Sequence, residues 1–412
     1  MKASQEKPTI ALLYLGAFSP EQSDFQNAAT STAGDLFQMN FLTALAGSTM
    51  PTPTVHAYIP VQSFPRAKKL FFGKKVFQLK NGLKVSSLTH INFGALKIAT
   101  LGMSAAWKTF GWAVKNRKAD RRVVICYNLT APPAWPISFV SKIIQLDLVP
   151  FIGDIYVPGE VVKDTLLRRI EFNGQKRLIP KVDGLLIANQ AIVDDFAPNC
   201  HSLLLEGGVM ESLVHRFENH PREQDKTFHV VFAGQLSVLN GVNLLLDAMK
   251  LIDSPDIRVS ILGGGEFASK VQEAVDGDSR ITYLGLCNHE EVLKVYEEAD
   301  LLLNLRRTDY QTHRYVFPSK VVECLATGRP LLTTCTGHVE KEFGDLVFLL
   351  NDESPLALAK AIKNLSQMTK GERLAVGTKA KDHVLAHKTW EGHICRIQDY
   401  LNENVFQSKE AA

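Results

Sequence analysis

Residues 300–335, DLLLNLRRTDYQTHRYVFPSKVVECLATGRPLLTTC, narrow the choice of fold more than any other stretch. The run Leu301–Leu303 with Leu305 is apolar without alternation, the pattern of a strand covered on both faces. Pro318 and Ser319 carry the start signal of a helix, and Gly328-Arg329-Pro330 carries its stop. A second apolar run, Leu331 and Leu332 with the threonines that follow, predicts another buried strand. A strand, a basic loop, a helix and a strand in one pass form a crossover unit of a parallel sheet.

The same alternation runs through the chain. In the first half TIALLYLGAF, TVHAYIPV, KVSSLTHI, RRVVICYNL, DLVPFIG, DGLLIAN and HSLLLEGG are strand candidates. GDLFQMNFLTALAG, ALKIATLGMSAAWKTFGWAVKN and PISFVSKIIQL are helices between them. In the second half FHVVFAGQL, RVSILGGGE, RITYLGL, DLLLNL, RPLLTTC and DLVFLL are strands, separated by NGVNLLLDAMKLI, HEEVLKVYEEA, the FPSK helix and SPLALAKAIKNLSQ. At 412 residues the chain is too long for one ordinary core. The polar stretch HRFENHPREQDKT reads as a linker between two doubly wound parallel-sheet α/β domains, 1–208 and 209–385. Residues 386–412 hold a terminal amphipathic helix, TWEGHICRIQDYLNENVF.

Lys320 falls in the first turn of the FPSK helix, and Glu323 lies one turn deeper on the same face. A helix N-terminus with a lysine suits an anion, and a carboxylate roughly 5–6 Å away suits vicinal hydroxyls. Phosphate beside ribose describes a nucleotide. Arg306 and Arg314, from the preceding loop, could add charge at the phosphate end. The bland alternative is an amphipathic crossover helix with solvated charges.

HRYVFPSKVVECLATGRPLLTT resembles the donor-nucleotide motif of the retaining GT-B glycosyltransferases of family 4, where a Glu–seven residues–Glu pattern heads the helix holding a nucleotide sugar. Glu323 matches the second Glu, which the resemblance implies on the ribose. Tyr315 stands at the first position, and Pro318 stands where many members have Gly. The FPSK form resembles a branch concerned with bacterial surface polysaccharides. The resemblance implies two Rossmann-like domains facing across a cleft, with the last helix crossing back to the N-terminal domain. It places the donor on residues 209–385, with Ser319, Arg314 and Tyr315 among its neighbours. VFAGQLSVLNGVNLLLDAM resembles the family's strand–glycine–loop–helix element, in which Gly234 would let the backbone approach the phosphates. Gln235 and Asn240 replace the Arg and Lys that many members direct at the phosphates, so Arg306 and Lys320 become the candidates to stabilise the leaving diphosphate. TYLGLCNHEEV resembles the segment that reads the base, which assigns Gly285, Leu286 and Cys287 to that pocket. PFIGDIYVP resembles the strand end where relatives often carry His-Asp. Asp154 is kept and Gly153 replaces the His, so Asp154 could serve the acceptor hydroxyl or merely cap a turn. The loop Gly16–Gly34 could close over the phosphates.

Composition limits the partners. Net charge is +3, yet Val55–Ile125 holds fourteen Lys or Arg against the single acid Asp120. Across residues 66–84, Arg66, Lys68, Lys69, Lys74, Lys75, Lys80 and Lys84 are interleaved with phenylalanines, a pattern suited to an anionic membrane surface or an anionic acceptor. A pI of 8.4 and the lack of a binding motif argue against nucleic acid. The N-terminus has no cleavage pattern, no run reaches spanning length, and the six cysteines are scattered without a CxxC pair. The expected location is cytoplasmic, with peripheral attachment at the inner face of the cytoplasmic membrane as an option. Gly263–Gly265 lack dinucleotide spacing, so NAD is not expected. Asp276-Gly277-Asp278 reads as a turn, and His383, His387 and His393 read as surface histidines, so no metal or cofactor is expected. The reaction implied is transfer of a sugar from a nucleoside diphosphate to a saccharide or lipid-linked saccharide acceptor. A soluble small-molecule acceptor, a nucleotide-sugar-binding subunit without turnover, and a phosphorylase or epimerase remain alternatives.

Overall fold

The computed structural model describes residues 8–19, 32–79, 81–129, 131–160, 164–217, 227–316 and 319–407. Pro318, Lys80, most of the loop between Gly16 and Gly34, and the centre of the linker lie outside them. The chain divides into two compact units, residues 1–206 with 390–412, and residues 207–389.

In the first unit β1 (Ile10–Ala17) leads to α1 (Thr32–Ala46) and β2 (Thr54–Tyr58). The basic segment then forms short strands β3 (Phe71–Phe72), β4 (Val76–Gln78), β5 (Lys84–Ser87) and β6 (His90–Ile91). Next come α2 (Gly94–Lys115), β7 (Arg121–Cys126), α3 (Ala131–Ile143), β8 (Asp147–Leu148), β9 (Phe151–Ile152), α4 (Leu166–Leu178), β10 (Leu185–Ile187), α5 (Ala191–Phe196) and β11 (Ser202–Leu204). The main sheet has the order β4-β5-β2-β1-β7-β8, and β11-β10-β9 form a smaller one. All pairings in the two are parallel except β4 with β5.

The second unit runs through α6 (Glu211–Arg216), β12 (Phe228–Ala233), α7 (Val242–Met249), β13 (Ile257–Leu262), α8 (Ala268–Gly277), β14 (Ile281–Gly285), α9 (His289–Glu297), β15 (Leu301–Asn304), α10 (Ser319–Ala326), β16 (Leu331–Thr334), α11 (Val339–Phe343), β17 (Phe348–Leu350), α12 (Pro355–Gln367) and α13 (Lys370–His387). Its sheet is parallel throughout, in the order β14-β13-β12-β15-β16-β17. Both faces of β15 are covered, with Leu301, Leu302 and Leu303 all buried, as the unbroken apolar run requires. Strand residues Val230, Ile261 and Leu303 share a core with Leu245 of α7 and Ile362 of α12. Each such side chain contributes roughly 1.5–3 kcal/mol on burial.

The last helix, α14 (Trp390–Tyr400), belongs to the first unit. Trp390 is fully buried, edge-on to Phe37 at 4.7 Å and to Phe41 at 5.7 Å. The Tyr400 hydroxyl donates to His201 O at 2.7 Å and accepts from Leu185 N at 2.9 Å. A Cβ at Gly184 would lie 2.5 Å from that hydroxyl, so only glycine admits the tyrosine here. Among the described residues no helix is long and apolar enough to cross a membrane.

In both units the strand order reverses beside the first strand, between β1 and β7 and between β12 and β15. Loops leaving neighbouring strands toward opposite faces open a crevice at such a point, where ligands of open α/β sheets bind. Buried Gln38 of α1 secures the end of β1. Its Oε1 accepts from Ala17 N at 3.0 Å and Tyr14 Oη at 3.2 Å, and its Nε2 donates to Ala17 O and Gly34 O. Gln38→Leu leaves these groups without partners and should cost about 3 kcal/mol of unfolding free energy, read by chemical denaturation. A loss below about 0.5 kcal/mol would show the bonds to be dispensable.

Candidate functional site

The reversal between β12 and β15 gathers most of the sequence-selected residues. Gly234 and Gln235 follow β12, Arg306 follows β15, and the chain continues through a short 3₁₀ turn, Gln311–Tyr315, to α10. The glycines after β13 serve loop packing. Gly263 has φ +130°, and a Cβ there would lie 1.8 Å from Gly234 O. The Gly263 amide donates to Gly285 O at 2.7 Å, and the Tyr283 hydroxyl donates to Gly263 O at 2.9 Å. The ends of β12, β13 and β14 are thereby tied into one rim. Leu286 stands 86% exposed on it, with half-buried Cys287 beside it. Gln235 is exposed, and its carbonyl accepts from Asn240 Nδ2 at 3.0 Å, so the Asn240 amide is used to brace its own loop.

Lys320, in the first turn of α10, reaches back to the end of β12. Its Nζ donates to Ala233 O at 3.1 Å and lies 3.4 Å from where a Cβ on Gly234 would sit. Burial lowers the ammonium pKa from its ordinary value, and the negative charge of Glu323 opposes that shift. One turn along, Glu323 Oε2 pairs with His289 Nε2 at 2.8 Å. The hydrogen bond to Glu323 raises the His289 pKa, against a smaller desolvation effect. His289 opens α9, directly after the loop carrying Gly285, Leu286 and Cys287. Lysine, carboxylate and imidazole thus surround the tip of α10. The Arg306 Nε is buried with no acceptor among the described residues, while its carbonyl accepts from Thr334 Oγ1. Arg314 is exposed and Tyr315 half-buried in the 3₁₀ turn, and Ser319 begins α10. Ammonium and guanidinium groups beside a glycine strand end can hold a diphosphate, and Glu323 can accept from hydroxyls.

Gly16 and Asp154 lie in the first unit. A Cβ on Gly16 would meet Phe18 at 2.7 Å and Gln38 Oε1 at 2.9 Å, so glycine lets the end of β1 pass close to α1. Gly16 shares a pocket with Tyr58, Tyr127, Asn128 and Ala134, at the reversal between β1 and β7. Asn128 has φ +47°, and its Oδ1 accepts from Gly153 N at 2.7 Å and Asp154 N at 3.4 Å. Tyr156 Oη donates to Asp154 Oδ2 at 3.4 Å. A Cβ on Gly153 would lie 3.3 Å from Tyr127 Oη, so the tyrosine crowds the space a larger side chain would need. Burial pushes the Tyr127 phenol far above its usual range, with Asp154 adding to the shift.

His289, Asp35, Tyr127 and Asn128 escape the sequence reading. The clue to His289 was its place within TYLGLCNHEEV, two residues after Cys287. Asp278 is engaged by Arg280 at 2.6 Å, and Asp276 closes α8 rather than sitting in a turn. His393 departs from expectation: it is fully buried, edge-on to Trp390 at 5.6 Å, because α14 turns that side into its unit.

Two titrations test this geometry. The His289 imidazole should titrate above about 6.5 by NMR and fall back toward that value in Glu323→Gln. The stabilisation from this pair is complete below about pH 6.5 and is lost as pH rises through the folded-state pKa. An unchanged His289 titration would remove the pair. Asp35, in the first turn of α1, behaves oppositely. Burial pushes its carboxyl up to about 6, against the lowering effect of the Ser19 amide. Its contribution is full below about pH 4 and disappears as pH climbs through about 6, so Asp35→Asn should gain about 2 kcal/mol at about pH 7 and nothing near pH 4. Equal gains at both values would exclude a titrating origin.

Comparison with known proteins places this arrangement. Residues 227–368 match a family model described as glycosyl transferases group 1. A search of curated proteins by sequence gives no match. Among solved structures, sucrose-phosphate synthase from Thermosynechococcus elongatus superposes with a TM-score of 0.66 at 14% identity, covering 97% of this chain and 100% of that one. Anabaena HepE in complex with UDP gives 0.65 at 14% identity, covering 94% and 99%. A glycosyltransferase from Rickettsia africae gives 0.65 at 11% identity, covering 95% and 98%. These likenesses establish the fold, which is GT-B. The segment that matches the family model lies within the unit formed by residues 207–389.

Proposed function

We propose that the protein is a retaining glycosyltransferase that takes its sugar from a nucleoside-diphosphate donor. The observation that carries this reading is the Lys320 ammonium, held against the carbonyl of Ala233 at the glycine strand end, with Glu323 one helical turn away. One N–H of Lys320 is used in that bond, which leaves two for phosphate oxygens. Arg306 supplies the second positive charge and Arg314 a third. Glu323 takes the ribose, and Gly285, Leu286 and Cys287 take the base. Tyr315, Ser319, Gly234 and Gln235 border the diphosphate and sugar. HepE has been solved with UDP-glucose, which supports a nucleotide sugar as donor.

In the reaction the bond between the anomeric carbon and the diphosphate oxygen breaks, and its electron pair leaves with the diphosphate. Lys320 and Arg306 offset the charge that develops there. The acceptor oxygen bonds to the anomeric carbon on the face the diphosphate leaves. Its proton passes to the departing phosphate oxygen, so a strong protein base is not required. Asp154 is assigned to orienting the acceptor hydroxyl, and Gly16 to close backbone approach. The positive side chains would do the work a metal does elsewhere. The acceptor is a saccharide or a lipid-linked saccharide of a polysaccharide pathway. The basic segment 66–84 supports an anionic acceptor or membrane surface, since no acidic residue occurs between Asp35 and Asp120.

A second reading, nucleotide-sugar binding without turnover, is favoured by Asn240. Its amide braces its own loop, in a position where many members of the family it resembles carry lysine. Incubation with a panel of nucleotide sugars separates the two, because slow donor hydrolysis requires a working leaving-group site. Lys320→Ala should lower turnover by about 10²–10³. Glu323→Ala should raise the donor KM strongly. Tight donor binding with no hydrolysis would favour the inactive binder, and unchanged donor affinity in Glu323→Ala would remove its ribose role.

A further inference from the structure

The outer surface of α2 is unlike that of a solvated helix. Leu96, Met103, Trp107, Phe110 and Val114 are all exposed, Trp107 to 74%. At 100° per residue they fall within about 40° of one line, a stripe about 27 Å long. Ala99 and Gly111 complete it, and no charged residue interrupts it. The opposite side, with Leu101, Ala105, Thr109 and Trp112, is buried and supplies the packing. The stripe is therefore extra to the fold.

Neighbouring helices extend it. α2 packs on α3, and α3 packs on α4. On α3, Trp135, Phe139 and Ile143 are exposed at a spacing of four residues, and α4 exposes Leu166, Leu167 and Ile170 at its start. Beyond the first turn of α2, exposed Phe93 meets exposed Phe64 at 6.4 Å, which carries the apolar surface onto the basic segment. Monomeric soluble proteins rarely expose a contiguous patch of this extent.

The charge around the patch selects its occupant. Lys115, Arg117 and Lys118 are exposed at the C-terminal end of α2, and Lys68, Lys69 and Lys74 are exposed at the other end. Lys142 on α3 and Lys176 and Arg177 on α4 add to one sign. The acids in this region are engaged: Asp120, after Lys118, accepts from Thr9 N and Oγ1, Asp164, ahead of α4, pairs with Arg169, and Glu171, on α4, pairs with Arg168. A ring of one sign around an apolar centre opposes pairing of two copies and suits anionic lipid headgroups over acyl chains.

We infer that α2, α3 and α4 form a docking face for an anionic phospholipid bilayer, with Trp107, Phe110 and Phe139 entering the interface and the lysines and arginines meeting headgroups. The helices lie in the interface and do not cross it. Lys68, Lys69 and Lys74 of the basic segment become one edge of this face. The inference does not rest on glycosyl transfer, and its test uses no donor.

Sedimentation of the full chain with phosphatidylcholine vesicles containing phosphatidylglycerol should show strong binding, at least about tenfold above pure phosphatidylcholine. The double variant Trp107→Ser/Phe139→Ser should weaken that binding about tenfold, since two inserted aromatic side chains are lost. Both positions are exposed, so its thermal unfolding should match the parent. Tryptophan emission should shift to shorter wavelength on binding, and Trp107→Phe should diminish the shift. Three results would overturn the inference. One is no sedimentation with anionic vesicles. A second is binding that the double variant leaves unchanged, which would leave charge alone as the attraction. The third is a stable dimer of the parent that the double variant dissociates, which would make a second copy the occupant.

Discussion

The ammonium of Lys320 on the carbonyl of Ala233 is the contact from which the candidate site is built. It pins the first turn of α10 to the end of β12, the strand beside which the sheet order reverses. A buried lysine is disfavoured as a cation, and burial does lower its pKa. Glu323 counters part of that shift, and an anionic ligand would counter the rest. The hydrogen bond to Ala233 fixes the position of the Lys320 nitrogen before a ligand arrives, as the proposed stabilisation of a leaving group requires.

Glycines make the arrangement possible. Gly263 lets its loop pass against the backbone of Gly234, so the lysine reaches a strand end crowded by no side chain. The first unit repeats the principle at its own reversal, where Gly16 lets β1 pass close to Gln38 and Asn128 gathers the amides of Gly153 and Asp154. One architectural rule, loops diverging from adjacent parallel strands, creates both places. The side chains differ: cationic and carboxylate groups in the second unit, tyrosines and a carboxylate in the first.

Sequence patterns conveyed this architecture wherever a segment was buried on both sides. The strand at Leu301–Leu303, the α10 boundaries and the glycine strand ends could be read directly, because apolar runs and Gly/Pro punctuation are local signals. Segment 66–84 was harder, since β3 and β4 are only two and three residues long, too short for a periodic pattern, and each buries a single phenylalanine. α4 escaped notice because its leading leucines point away from the core. The His289–Glu323 pair joins residues thirty-four apart in sequence, on two different helices, and no local pattern encodes that meeting. His393 reads as a surface residue, yet the rotation of α14 about Trp390 buries it. Local chemistry was visible in the chain; partners set by tertiary packing were not.

The central claim concerns where a diphosphate sits. A crystal structure of the protein with a bound nucleoside diphosphate tests it most directly. The account predicts phosphate oxygens within hydrogen-bonding distance of Lys320 Nζ and the ribose hydroxyls on the Glu323 carboxylate. Nucleotide bound elsewhere in the second unit, with Lys320 still donating only to Ala233, would contradict it.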